Sequence, residues 1–198
     1  MVIVVSDKMT ADSTPNFPAP VLAEGWHEGW YAAARRVDSP NQDARPEADA
    51  PSLLVIHAIS LPPGQFGGPE VEALFTNQLD PTRHPYFAQI ADLRVSAHFF
   101  IRRTGELVQF VPCSRRAWHA GASHWQGRER CNDFSVGIEM EGADDQPFTE
   151  PQYRVLNTLI AALKTVYPSL LDIAGHSDIA PGRKTDPGPC FDWGRVKR

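Results

Sequence analysis

The chain is 198 residues long, 42% hydrophobic and 22% charged, with a formal net charge of -5 at pH 7. A chain of this size and composition can form one domain that buries about 70% of its unfolded surface, without disulfides or a partner to complete its core. The mildly acidic balance, with no Lys/Arg block, excludes nucleic-acid or anionic-membrane binding driven by counterion release, and a small ligand is expected instead.

Residues 1–24 are polar, carry Pro15, Pro18 and Pro20, and show no sustained period, so they are expected to be a flexible extension preceding a single domain at 25–198. Val2 to Val5 is followed at once by Ser6, Asp7 and Lys8, too short for a secretory h-region, and no run approaches the ~20 apolar residues of a membrane helix. A cytoplasmic protein is expected. Its three cysteines, Cys113, Cys131 and Cys190, are odd in number and widely spaced, which predicts reduced packing residues.

From Trp26 to Arg36 the spacing of Trp26, Trp30 and Ala33 or Ala34 predicts a short helix, followed by a polar, turn-rich stretch from Asp38 to Pro51. Ser52 to His57 is apolar on both faces, as in a central strand covered on two sides, and His57 ends it. A Pro/Gly-rich loop precedes a short helix over Glu70–Asn77. Ser96–Ile101 and Leu107–Val111 read as two strands of a hairpin turning at Gly105. In the strand Phe134–Met140, Phe134, Val136, Ile138 and Met140 form a core face, and Ser135, Gly137, Glu139 and Glu141 form a small, acidic one.

Thr149-Glu-Pro-Gln152 resembles a capping box opening the best helix of the chain, with Tyr153, Leu156, Ile160, Leu163 and Tyr167 on one face and Pro168 ending it. Asp172–Ile179 contains a short strand or extended segment leading into the Gly/Pro-rich 181–189, and residues 191–197 form a last turn. The order predicts a mixed α/β domain, a central mixed β-sheet flanked by helices. The 18 prolines and 14 glycines predict long loops, where sites tend to sit.

Among seven histidines, His57 at a buried strand end and His176 in Ala174-Gly-His-Ser-Asp178 stand out, with Asp186 ten residues further on. Two imidazoles and a carboxylate are a ligand set used by hydrolytic zinc sites that keep a position open for water. Spacing alone does not single them out, because no H-E-x-x-H helical pair is present.

The segments LVIHAISLPPGQFGG at 54–68, VSAH at 95–98, RAWHAG at 116–121, GRERCNDFSVGIE at 127–139 and IAPGRKTDPG at 179–188 together resemble the AmpD-type zinc N-acetylmuramoyl-L-alanine amidases. The resemblance runs from about Trp26 to the C-terminus and implies the amidase/peptidoglycan-recognition-protein fold. It implies Zn2+ held by His57, His176 and Asp186, Glu139 as the catalytic carboxylate and Lys184 as the group facing the oxyanion. It places Trp118 and His119 on the cleft wall, and Arg94 and Arg130 where the substrate peptide's carboxylates would lie. His98 is read as a structural strand residue.

The sequence departs from relatives at three positions, one of them Asp186, where related phage amidases and catalytic recognition proteins also use a cysteine as third ligand. Ala97 stands where some phage amidases carry a tyrosine, which the AmpD type also lacks. Ala58 stands where an asparagine commonly follows the first ligand.

The implied activity is hydrolysis of the amide between the lactyl group of 1,6-anhydro-N-acetylmuramic acid and L-alanine. The implied partner is a small-molecule muropeptide, taken by a monomer with no nucleic-acid or membrane partner. By the same implication the reaction serves peptidoglycan recycling and restrains β-lactamase induction. Two alternatives are an envelope amidase of the same fold acting on intact peptidoglycan, and a non-catalytic muropeptide-binding module.

Overall fold

A computed structural model describes residues 25–46 and 50–197, so the expected N-terminal extension lies outside the described residues. In chain order the strands are β1 (Trp26–His27), β2 (Trp30–Tyr31), β3 (Arg35–Arg36), β4 (Gln42–Ala44) and β5 (Leu53–Ile59). Helices α1 (Glu70–Phe75) and α2 (Pro85–Ile90) precede β6 (Phe99–Ile101), β7 (Leu107–Gln109), β8 (Arg115–Ala117), β9 (His124–Trp125) and β10 (Arg128–Glu129). Then come β11 (Ser135–Glu141), α3 (Glu150–Val166), β12 (Asp172–Gly175) and α4 (His176–Ile179).

Six strands form one sheet in the order β12-β5-β11-β6-β7-β3, with β12, β5, β11 and β6 mutually parallel and β6–β7 antiparallel. This is the expected mixed sheet. β5 and β11 lie side by side inside this sheet, with every residue of β11 and the first five of β5 buried, which is why both read as apolar or small on two faces.

Leu54 and Ile56 of β5 share a core with Val136, Ile138 and Met140 of β11, capped by Leu156, Leu159, Ile160 and Leu163 of α3. Each such aliphatic side chain contributes about 1.5–3 kcal/mol by leaving water. The capping box forms as expected: Thr149 Oγ1 accepts from Gln152 N and Gln152 Oε1 accepts from Thr149 N. A second apolar cluster joins α1 and α2 to Phe100, Val108 and Phe110.

The helix expected over Trp26–Arg36 is corrected to three short strands. Glu28 and Gly29 both have positive φ (50° and 84°), the conformation of a tight hairpin turn joining Trp26–His27 to Trp30–Tyr31. Trp26 reaches the core by stacking on its cross-strand partner Tyr31, with ring centroids 4.7 Å apart, and not through helical spacing. Helix α2 was not expected; His84 caps it by accepting from Tyr86 N, and Pro85 stands in its first turn. The cysteines are free, with Cys113 and Cys131 buried. Among the described residues no helix is long and apolar enough to cross a membrane.

Candidate functional site

The register of the parallel strands sets the site. Glu139 of β11 pairs with His57 of β5, as Gly137 does with Val55 and Ser135 with Leu53, so these side chains share the sheet face opposite α3. Next to β5, β12 ends at Gly175 and delivers His176 at the same sheet end as His57. Asp186 returns to this point because Ser177 N donates to its carbonyl oxygen at 2.9 Å, and because Gly175 lets Pro187 lie close. A Cβ on Gly175 would stand 2.9 Å from Pro187 Cδ.

His57 Nδ1, His176 Nδ1 and Asp186 Oδ2 form a triangle with sides of 2.9, 3.0 and 3.2 Å. His176 Nε2 lies 3.1 Å from the carbonyl of Ala120, which can only accept, so its proton sits on Nε2 and its Nδ1 presents a lone pair. Arg183 donates to the same carbonyl at 2.6 Å and fixes it. Ligands bound about 2.0–2.2 Å from one tetrahedral ion stand roughly 3.3 Å apart, so the triangle has the size and donor chemistry of a zinc site. His57 is 1% exposed. Burial, aided by neighbouring His176, outweighs the pull of Asp186 and pushes its imidazole down to about 4, which keeps it neutral and able to ligate.

Glu139 is buried and its Oε2 has no hydrogen-bond partner among the described residues. Burial first, then the charge of Asp186, raise its carboxyl well above the usual range, and Lys184 opposes them. An orphaned carboxylate oxygen facing a cleft is a group arranged to exchange a proton. Lys184 is exposed at the rim, and its charge acts on both Glu139 and His57.

These residues line one cleft of about 540 Å³, whose wall includes Trp118, Ile59 and Leu74. The structure thus gathers His57, His176, Asp186, Glu139, Lys184 and Trp118 in one place. Arg94 and Arg130 stand apart. Arg94 is exposed and donates to the carbonyls of Ala91 and Leu93. Arg130 lines a neighbouring cavity with Arg183 and pairs with Asp133 at 3.2 Å. His98 is fully buried, its Nδ1 accepting from Gly137 N at 3.0 Å, in the structural role expected.

Sequence reasoning left His119 as a piece of cleft wall. In the structure its Nδ1 lies 2.9 Å from His57 Nε2, a contact that only the fold creates because the two residues lie 62 positions apart.

Residues 47–189 match the family described as N-acetylmuramoyl-L-alanine amidase. The chain is 61% identical over 171 residues to the 1,6-anhydro-N-acetylmuramyl-L-alanine amidase AmpD of Citrobacter freundii, covering 86% of this chain and 91% of that protein. A crystal structure of a selenomethionine AmpD derivative superposes with a TM-score of 0.84 at 60% identity, over 86% of this chain and 98% of the other. The Escherichia coli amidase AmiD, solved with anhydro-N-acetylmuramic acid-L-Ala-D-γ-Glu-L-Lys as substrate, superposes with a TM-score of 0.54 at 30% identity, over 76% and 58% of the two chains.

Proposed function

Because the chain belongs to the N-acetylmuramoyl-L-alanine amidase family, we propose that it is a zinc enzyme acting on 1,6-anhydro-N-acetylmuramic acid peptides. It hydrolyses the amide between the lactyl group and L-alanine, in cytoplasmic peptidoglycan recycling. The observation that carries this reading is the triangle of His57, His176 and Asp186 beside a buried carboxylate with a free oxygen.

His57, His176 and Asp186 hold the ion, and when bound zinc supplies the Lewis acidity that acidifies water and polarises a carbonyl. Glu139 takes the proton of the attacking water and passes one to the L-alanine nitrogen as the C–N bond breaks. Its raised proton affinity suits both halves of that exchange. Lys184 sets a fixed positive charge against the negative charge that develops on the lactyl oxygen. Trp118 offers a flat apolar wall to the sugar, while Arg130 and Arg94, outside the cleft proper, are assigned to the stem-peptide carboxylates. The protein acts as a monomer, and by consuming muropeptides it lowers the pool that can induce β-lactamase.

Metal analysis together with mass spectrometry of the products from an anhydro-muropeptide tests this reading. One zinc per chain, with release of anhydro-N-acetylmuramic acid and the intact stem peptide, is the expected result. Preferential cleavage of intact sacculi would point to an envelope enzyme, and binding without release of stem peptide would point to a recognition module. His176→Ala is expected to abolish zinc retention.

A further inference from the structure

His57 presents Nδ1 to the metal triangle, and its other nitrogen is equally buried. A buried imidazole N–H without an acceptor is costly, and the acceptor here is His119 Nδ1 at 2.9 Å. The ring of His119 stands edge-on to that of His57, with centroids 4.9 Å apart and planes at 83°. Its Nε2 lies 3.2 Å from Ser135 Oγ, on the strand that also carries Glu139.

The sequence makes room for this ring at one position. A Cβ on Gly137, between Ser135 and Glu139 on the same face, would fall 2.5 Å from His119 Cγ, so only glycine admits it. The His119 backbone is fixed as well: its N–H and that of Ala120 both donate to Asn132 Oδ1, at 3.1 and 2.8 Å.

We propose that His119 is a positioning residue for the metal centre. It accepts the Nε2 proton of His57 and donates its own Nε2 proton to Ser135 Oγ, which holds His57 in the tautomer whose Nδ1 lone pair faces the ion. A free imidazole divides between two tautomers, and only one of them can ligate through Nδ1. The three-residue relay Ser135–His119–His57 removes the other before the metal arrives. His176 receives the equivalent service from a backbone carbonyl, that of Ala120, so the two ligands are oriented by different means. Loss of such an outer partner typically weakens metal affinity about 10- to 100-fold.

This inference rests on the zinc reading above. Zinc affinity by competition with a chromogenic chelator, measured on the full chain, tests it with three substitutions. An asparagine amide occupies the place of a histidine Nδ1, and a glutamine amide the place of Nε2. His119→Asn should therefore stay within a few-fold of wild type, whereas His119→Gln and His119→Leu should lose about 10- to 100-fold. Ser135→Ala should show a smaller loss in the same direction and covers the case in which His119→Leu fails to fold.

Melting of the metal-free proteins separates packing from positioning, because a packing role ranks the variants by volume and does not favour Asn over Gln. Equal affinity for all variants and wild type overturns the inference and leaves the zinc reading standing. So does an equal loss for Asn, Gln and Leu. A wild-type chain that takes up no zinc overturns both.

Discussion

Glu139 and His57 are directly paired on adjacent parallel strands, one presenting a carboxylate with a free oxygen and the other a nitrogen of the proposed metal triangle, on the same face of the sheet. The spacing between them is therefore a property of the backbone ladder, about 4.8 Å from strand to strand, and does not depend on a mobile loop.

Replacing Glu139 by Gln preserves shape and volume while removing the proton acceptor. Turnover of an anhydro-muropeptide should fall by roughly 10²- to 10⁴-fold, with zinc content unchanged. A zinc-free Glu139→Gln protein would make Glu139 a ligand and invalidate its assignment as the base.

The same carboxyl makes the metal-free fold sensitive to pH. Burial raises its proton affinity in the folded chain above that in the unfolded chain, so the folded state holds the extra proton between the two values and loses stability as pH rises through them. Metal-free Glu139→Gln should therefore gain stability relative to wild type as pH rises from the ordinary carboxylate range upward, in chelator-containing denaturation curves. A gap that is constant with pH would mean that the carboxyl is not perturbed.

Thiol reactivity should be divided. Burial pushes the Cys113 thiol up to about 12 and raises that of Cys131, while Cys190 is only partly buried. A thiol-reactive dye should label Cys190 in the native protein and reach the other two only after unfolding. Fast native labelling of Cys113 would contradict its placement in the core.

Gly105 turns the β6–β7 hairpin at φ +88°, and a Cβ there would sit 3.1 Å from Pro151 Cβ at the start of α3. Gly105→Ala should cost about 1–2 kcal/mol from the left-handed backbone, read from urea midpoints, with zinc binding unaffected.

Where local pattern and tertiary environment agree, the sequence was sufficient. β5, β11 and α3 were each found to within a few residues, because burial on two faces, alternation and an apolar stripe are written directly into their side chains. The segment Trp26–Arg36 was misread because two tryptophans at a spacing of four mimic a helical face. The overlooked signal was the flanking pair Gly25 and Gly29, both at positive φ, which no helix interior requires. In the cleft, the proposed ligand set was legible only through several motifs taken together. The contact of His119 with His57 was not legible, since nothing in RAWHAG specifies which strand its ring will meet. Gly137, legible only as part of a small, acidic strand face, gives its space to that ring.

β12 is the outermost strand of the sheet, only four residues long, and it pairs with β5 alone. His176 follows it directly, 119 residues from His57 in the chain. An ion gripping both side chains thus acts as a cross-link closing a very long loop, a constraint that for a covalent bridge of about 100 residues is worth roughly 4.7 kcal/mol in chain entropy. The bridge is reversible, and a chelator can undo it where a reductant would not. With the proposed ion bound, occupancy of the site adds to the backbone pairing that holds the sheet's edge, so metal removal should appear first as proteolytic nicking and faster amide exchange in the stretch from His176 to Cys190.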